Sequence, residues 1–107
     1  MSHKGTSTFI MQRASAVILI PIAIWFLWSL MAHAGEDLAG AEAWLKKPLN
    51  FGLFGTFVTI GALHGRIGVS EVIDDYIHGG MRGLFSALNW VVAIAVIAVT
   101  WWSLLSL

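Results

Sequence analysis

Charged residues fall in clusters along this chain. Between the clusters lie three stretches without a single Asp, Glu, Lys or Arg: residues 14–35, 48–65 and 83–107, of 22, 18 and 25 residues. A helix rises about 1.5 Å per residue, so about 20 apolar residues cross roughly 30 Å of hydrocarbon. The pattern predicts an all-α integral membrane fold with three transmembrane helices. They are placed at about residues 12–34, 49–77 and 84–107 of a single domain filling residues 1–107. The connection over residues 35–49 is expected to be an interfacial loop, with room for one or two amphipathic helical turns at residues 41–47. Gly79 and Gly80 are expected to break the chain before the third helix.

The flanks set an orientation. Lys4, Arg13, Arg66 and Arg82 lie on one side of the predicted spans, against only Lys46 and Lys47 on the other. Cytoplasmic flanks are enriched in Lys and Arg. The N-terminus and the connection over residues 66–82 are therefore placed inside, and the first loop and the C-terminus outside. Pro21 should kink the first helix, because it lacks an N–H and its ring clashes with the preceding turn. Trp25, Trp28, Trp90, Trp101 and Trp102 lie toward helix ends, where aromatic belts anchor a span at its interfaces.

Composition narrows the function. The 107 residues are 58% hydrophobic and 11% charged, with a formal net charge of zero and no cysteine. An ordinary soluble domain has roughly 25% charged residues. A balanced charge without a basic run argues against nucleic-acid binding. Without cysteine there are no disulfides, thiolate metal sites or iron–sulfur clusters. The first apolar stretch lacks a small-residue cleavage site after a short core and reads as a span rather than a removable signal.

The second helix carries the chemistry. It contains Gly52, Gly55, Gly61, Gly65 and Gly68. At 100° per residue, Phe54, Phe57, Gly61, His64, Gly65 and Gly68 fall within an arc of about 100°. One face thus shows aromatics and then a bare backbone strip beside an imidazole. Gly61 and Gly65 form a GxxxG pair, which by itself reads as a helix contact. His64 lies about 21 Å from the helix start at Asn50, at membrane depth, where polar groups are expensive and mark function. An imidazole beside glycines suits an axial nitrogen on a flat porphyrin. It equally suits a structural bond to a neighbouring helix, with proton relay or another metal as further roles. His3, His33 and His78 sit at or beyond helix ends, so a second axial ligand would come from another chain.

Asp74, Asp75, Tyr76 and His78 follow. Asp75 lies eleven residues after His64, about 20° around the axis and about 16 Å along it. A phenol can donate to a carbonyl oxygen while a neighbouring carboxylate orients it or accepts protons. That pair suits a quinone headgroup, and it also suits an ordinary interfacial anchor.

The string HGRIGVSEVIDDYIHG at residues 64–79 resembles the signature of the small hydrophobic anchor, the D subunit, of succinate dehydrogenase. The family pattern is a histidine, a glycine four residues on, and Asp-Tyr at eleven and twelve. His64, Gly68, Asp75 and Tyr76 fit it. Gln12-Arg13-Ala14-Ser15-Ala16 is similar to the Arg-Ala-Thr/Ser-Ala start of the family's first helix. Where some family members carry a histidine before that arginine, this chain has Ser7.

The resemblance implies that His64 is one axial ligand of haem b, the other coming from a second anchor, the C subunit. It implies that Tyr76 and Asp75 bind ubiquinone and that Arg13 lies near a haem propionate. Flavoprotein and iron–sulfur subunits would dock on the inner face, delivering electrons from succinate. The chain would be a multi-pass subunit of a bacterial inner membrane, inactive alone. A fumarate reductase anchor using menaquinone would carry the same features, separable by the extracted quinone and the haem potential. A non-redox scaffold, in which His64 only bonds a neighbour, predicts no chromophore.

Overall fold

The computed structural model describes residues 3–107, with side chains described from Gly5 onward. The side chains of His3 and Lys4, named above, lie outside the described residues. The described chain is helical: α1 (His3–Ala32), α2 (Leu38–Lys46), α3 (Pro48–Tyr76) and α4 (Gly80–Leu105).

α1 begins well before residue 12, and α4 begins at Gly80 rather than 84 and ends at Leu105. The apolar run marks where hydrocarbon would begin. A helix satisfies its own backbone, so it continues into the polar flank beyond that point. α1 runs through Pro21 as one continuous helix.

The connection over residues 35–49 contains α2, which starts three residues before the one or two helical turns expected at residues 41–47. Gly35, at φ +90°, turns the chain out of α1. Asp37 then caps α2, its carboxylate accepting from the Gly40 N–H at 2.9 Å, which satisfies one of the otherwise unpaired donors of a helix start. Lys47 is extended, and Pro48 opens α3 at a position where its missing N–H has no cost. Gly79, at φ +71° and ψ −148°, forms the turn into α4. That conformation belongs almost only to glycine.

α3 is the central element. Antiparallel neighbours lie on its two sides, α1 on one and α4 on the other, with α2 across its first turns. Few residues are buried: Gly55, Ile67 and Ile73 on α3, and Ala93 and Leu104 on α4. Most large apolar side chains of α1 and α4 face outward, among them Val17, Ile20, Ile24, Val91, Val92 and Val99. So much exposed apolar surface has no place on a soluble monomer. The bundle measures 49 × 25 × 21 Å, and a bilayer with its headgroups is about 40–45 Å thick. α1 and α4 are long and apolar enough to cross a membrane. α3, at 29 residues, is as long but is interrupted by glycines and by Arg66, Glu71, Asp74 and Asp75.

Candidate functional site around His64

The seam between α1 and α3 changes character along its length. Near the α2 end it is aromatic. The Phe26 ring lies 5.6 Å from that of Phe54 and 5.1 Å from that of Phe57, centroid to centroid. Two turns farther along α3 the seam becomes polar. The Ser15 Oγ on α1 stands 2.8 Å from Nδ1 of His64. The same hydroxyl donates to the Gln12 carbonyl at 3.0 Å, within its own helix. Gln12 in turn closes on α3 at Gly68, its amide nitrogen 3.7 Å from where a Cβ would stand. The imidazole is half-buried and is held by a helix 49 residues away in sequence.

The backbone beside His64 is bare. At Gly61 and Gly65, a Cβ would meet nothing within 4 Å. Among the described residues, the GxxxG pair therefore makes no close helix contact. The glycine that does is Gly55, whose missing side chain admits the Trp101 ring. Trp101 Nε1 donates to Thr59 Oγ1 at 2.8 Å, and that hydroxyl donates to the Gly55 carbonyl at 2.8 Å. This closed unit joins α3 to α4. Two further ties follow. Asn89 Nδ2 donates to the Arg66 carbonyl at 2.9 Å, and the Arg66 guanidinium carbon stands 3.9 Å from the Trp90 ring centroid. Stacking over an aromatic face attracts a cation to the ring.

These contacts give several tryptophans a packing role besides the one expected at an interface. Trp101 and Trp90 join α3 to α4, and Trp25 stacks on Trp44 of α2 at 5.5 Å. Trp28 and Trp102, at 74% and 76% exposed, remain free for an interface.

At the far end of α3, Asp75 and Tyr76 are both exposed, Tyr76 at 79%. Asp74 accepts from Arg82 Nη2 at 2.7 Å and from Nε at 2.9 Å. Asp75 makes no ion pair among the described residues. Arg13 is also exposed, with its guanidinium carbon 5.2 Å from the Phe9 ring centroid. Ser15 and His64 are thus brought together, while Arg13 and the Asp75–Tyr76 pair stay apart from them. Two cavities open elsewhere. One of about 240 Å³ lies between Phe26, His33 and Trp44, and one of about 440 Å³ between Arg66, Asp74 and Arg82. Neither is lined by His64, Asp75 or Tyr76.

No group of three or more His, Cys, Asp or Glu side chains that could hold a metal ion occurs among the described residues. A single imidazole beside a bare backbone strip can instead contribute one ligand to a flat group that another chain completes. Sequence reasoning had His64 and its glycines but not Ser15 as their partner. The only signal was a serine in the Arg-Ala-Ser stretch.

Long apolar helices around a half-open polar strip define a helical membrane subunit. The chain matches the succinate dehydrogenase/fumarate reductase transmembrane subunit family over residues 1–104, and it belongs to that family. Similar curated proteins are named succinate dehydrogenase hydrophobic membrane anchor subunits. That of Rickettsia prowazekii is 30% identical over 77 residues, or 72% of this chain and 62% of the relative. That of Rickettsia conorii is 30% identical over 77 residues, or 71% and 61%. The match thus spans somewhat under two thirds of these relatives. No solved structure matches the chain.

Proposed function

We propose that this chain is the three-helix anchor of a succinate:quinone oxidoreductase, sharing haem b with a second anchor subunit and binding ubiquinone. The observation that carries the proposal is the His64 site. One ring nitrogen is held by Ser15 at 2.8 Å, and open backbone at Gly61 and Gly65 lies beside the ring. Both features fit a porphyrin that needs an axial nitrogen and a close approach to the helix. In this reading α3 is the third crossing, its polar strip facing the partner anchor rather than lipid. Polar groups at that depth face a bundle interior.

Haem, when bound, supplies a one-electron carrier. The remaining roles belong to this chain's side chains. Arg13, exposed on α1 two residues before Ser15, would hold a haem propionate; a guanidinium can bond a carboxylate through two parallel N–H donors. Tyr76 donates to a carbonyl oxygen of ubiquinone. Asp75 orients the headgroup or passes protons to it, a role supported by Asp74 being the carboxylate that Arg82 engages. Electrons from succinate arrive through an iron–sulfur subunit beside a flavoprotein, since this chain has no cysteine. The N-terminus and the α3–α4 turn face the cytoplasm of a bacterium, and the complex resides in its inner membrane. The names of the relatives favour succinate oxidation over the fumarate reductase that shares the family.

The test is a reduced-minus-oxidised visible spectrum of the complex purified through this subunit, wild type beside His64→Ala. A low-spin b-type signal that is lost or altered in the variant is expected. Absence of haem from the intact wild-type complex would return His64 to a structural role. In the same preparation, Tyr76→Phe should depress ubiquinone reduction while succinate oxidation with an artificial acceptor persists. Unchanged quinone kinetics would remove Tyr76 from the site.

A further inference from the structure

Ser15 makes two polar contacts at once. Its Oγ is 3.0 Å from the Gln12 carbonyl oxygen on α1 and 2.8 Å from His64 Nδ1 on α3. A hydroxyl has one hydrogen and two acceptor lone pairs, and a carbonyl oxygen can only accept. The Ser15 hydrogen therefore goes to Gln12, and Oγ is left to accept from the imidazole. Both bonds form together only when Nδ1 carries the ring proton. A neutral imidazole in that state has its free lone pair on Nε2. Nε2 has no hydrogen-bond partner among the described residues and is not among the enclosed polar atoms that lack one. It is free to meet a ligand.

We propose that Ser15 is a positioning residue that fixes His64 in the Nδ1–H tautomer and in one ring orientation, so that Nε2 is the ligand nitrogen. The inference rests on His64 serving as a haem ligand, as proposed above. A ligating histidine commonly donates its other N–H to an acceptor, which raises its basicity as a ligand. A more basic ligand favours ferric over ferrous iron, so Ser15 lowers the haem potential. Because the acceptor sits on α1, the bond also ties the ring orientation to the α1–α3 register. The back-bond to Gln12 holds the hydroxyl on its own helix and so sets the direction of its free lone pairs.

The experiment is a redox titration of the haem, with low-temperature EPR of its ferric form, in the intact complex. Wild type is compared with Ser15→Ala, Ser15→Thr, Ser15→Cys and His64→Ala. Ser15→Ala is expected to shift the midpoint potential upward and to move the g-values of the low-spin signal. Ser15→Thr, which keeps the hydroxyl, should restore both. Ser15→Cys, a weaker acceptor of similar shape, should shift both in the same direction as alanine. Wild-type potential and g-values in Ser15→Ala would overturn the inference. Should the alanine variant fail to assemble, wild-type values in Ser15→Cys would overturn it on the same two readouts. A wild-type complex without haem, or a haem signal indifferent to His64→Ala, overturns the ligand reading itself and the positioning role with it.

Discussion

The two flanks of α3 are built from the same residue types and end in opposite states. Toward α4, glycine meets tryptophan. The Trp101 ring occupies the space at Gly55, its N–H bonds Thr59, and Asn89, Trp90 and Arg82 tie the rest of the helix pair. Toward α1, the only glycine of this face with a close neighbour among the described residues is Gly68, beside the Gln12 amide. Gly61 and Gly65 face open space beside an imidazole that a single serine holds. A filled seam contributes stability through contact and satisfied hydrogen bonds. An unfilled one forgoes those contacts and leaves room for another group. The contrast separates the side of α3 that is packed within the chain from the side that is left open.

Matched substitutions test that contrast most severely. Gly55→Leu drives a side chain into the Trp101 ring. Overpacking of this kind costs about 2–3 kcal/mol and should lower the thermal midpoint of the complex in detergent. At Gly65 a Cβ meets nothing within 4 Å among the described residues, so Gly65→Leu starts into open space. Its effect should appear instead as a fall in haem per flavin or in recovery of the second anchor. Equal thermal losses with haem retained in both variants would erase the distinction between the flanks.

A smaller effect sharpens the closed side. Thr59→Val keeps the shape but removes the acceptor for Trp101 Nε1, leaving a half-buried donor unpaired. An unsatisfied donor of that kind costs about 1–2 kcal/mol. The thermal midpoint should fall while the haem spectrum stays unchanged; a spectral change would show that the two seams are coupled.

The smallest effect lies at the turn. Arg82 and Asp74 are each about half exposed, and exposed ion pairs contribute roughly 0.2–1 kcal/mol, screened by salt. Arg82→Ala should move stability by no more than that at low ionic strength and by less in high salt. A larger, salt-independent loss would mean that the turn holds α4 in register.

Much of this molecule is legible along the chain. The charge-free stretches predicted the long helices, and the spacing from His64 to Tyr76 pointed to the family. Boundaries were less accessible. α2 depends on Asp37 capping Gly40, a local hydrogen bond invisible to an apolar count.

What the sequence determined by itself was the set of helices, the angular position of each residue around them, and the candidate chemistry at His64, Asp75 and Tyr76. Which neighbour covers each face was decided only in three dimensions. The GxxxG pair by itself reads as a helix contact, yet the α3 glycine that packs tightly within the described chain is Gly55, against Trp101. Asp74 and Asp75 are adjacent acids until Arg82 reaches back across a glycine turn to one of them. Ser15 and His64 lie 49 residues apart. Periodicity fixes a side chain's direction from its own helix axis, because 3.6 residues make each turn. It carries no information on how far one helix slides along another, and that register, set by packing and side-chain hydrogen bonds between helices, decides which groups meet.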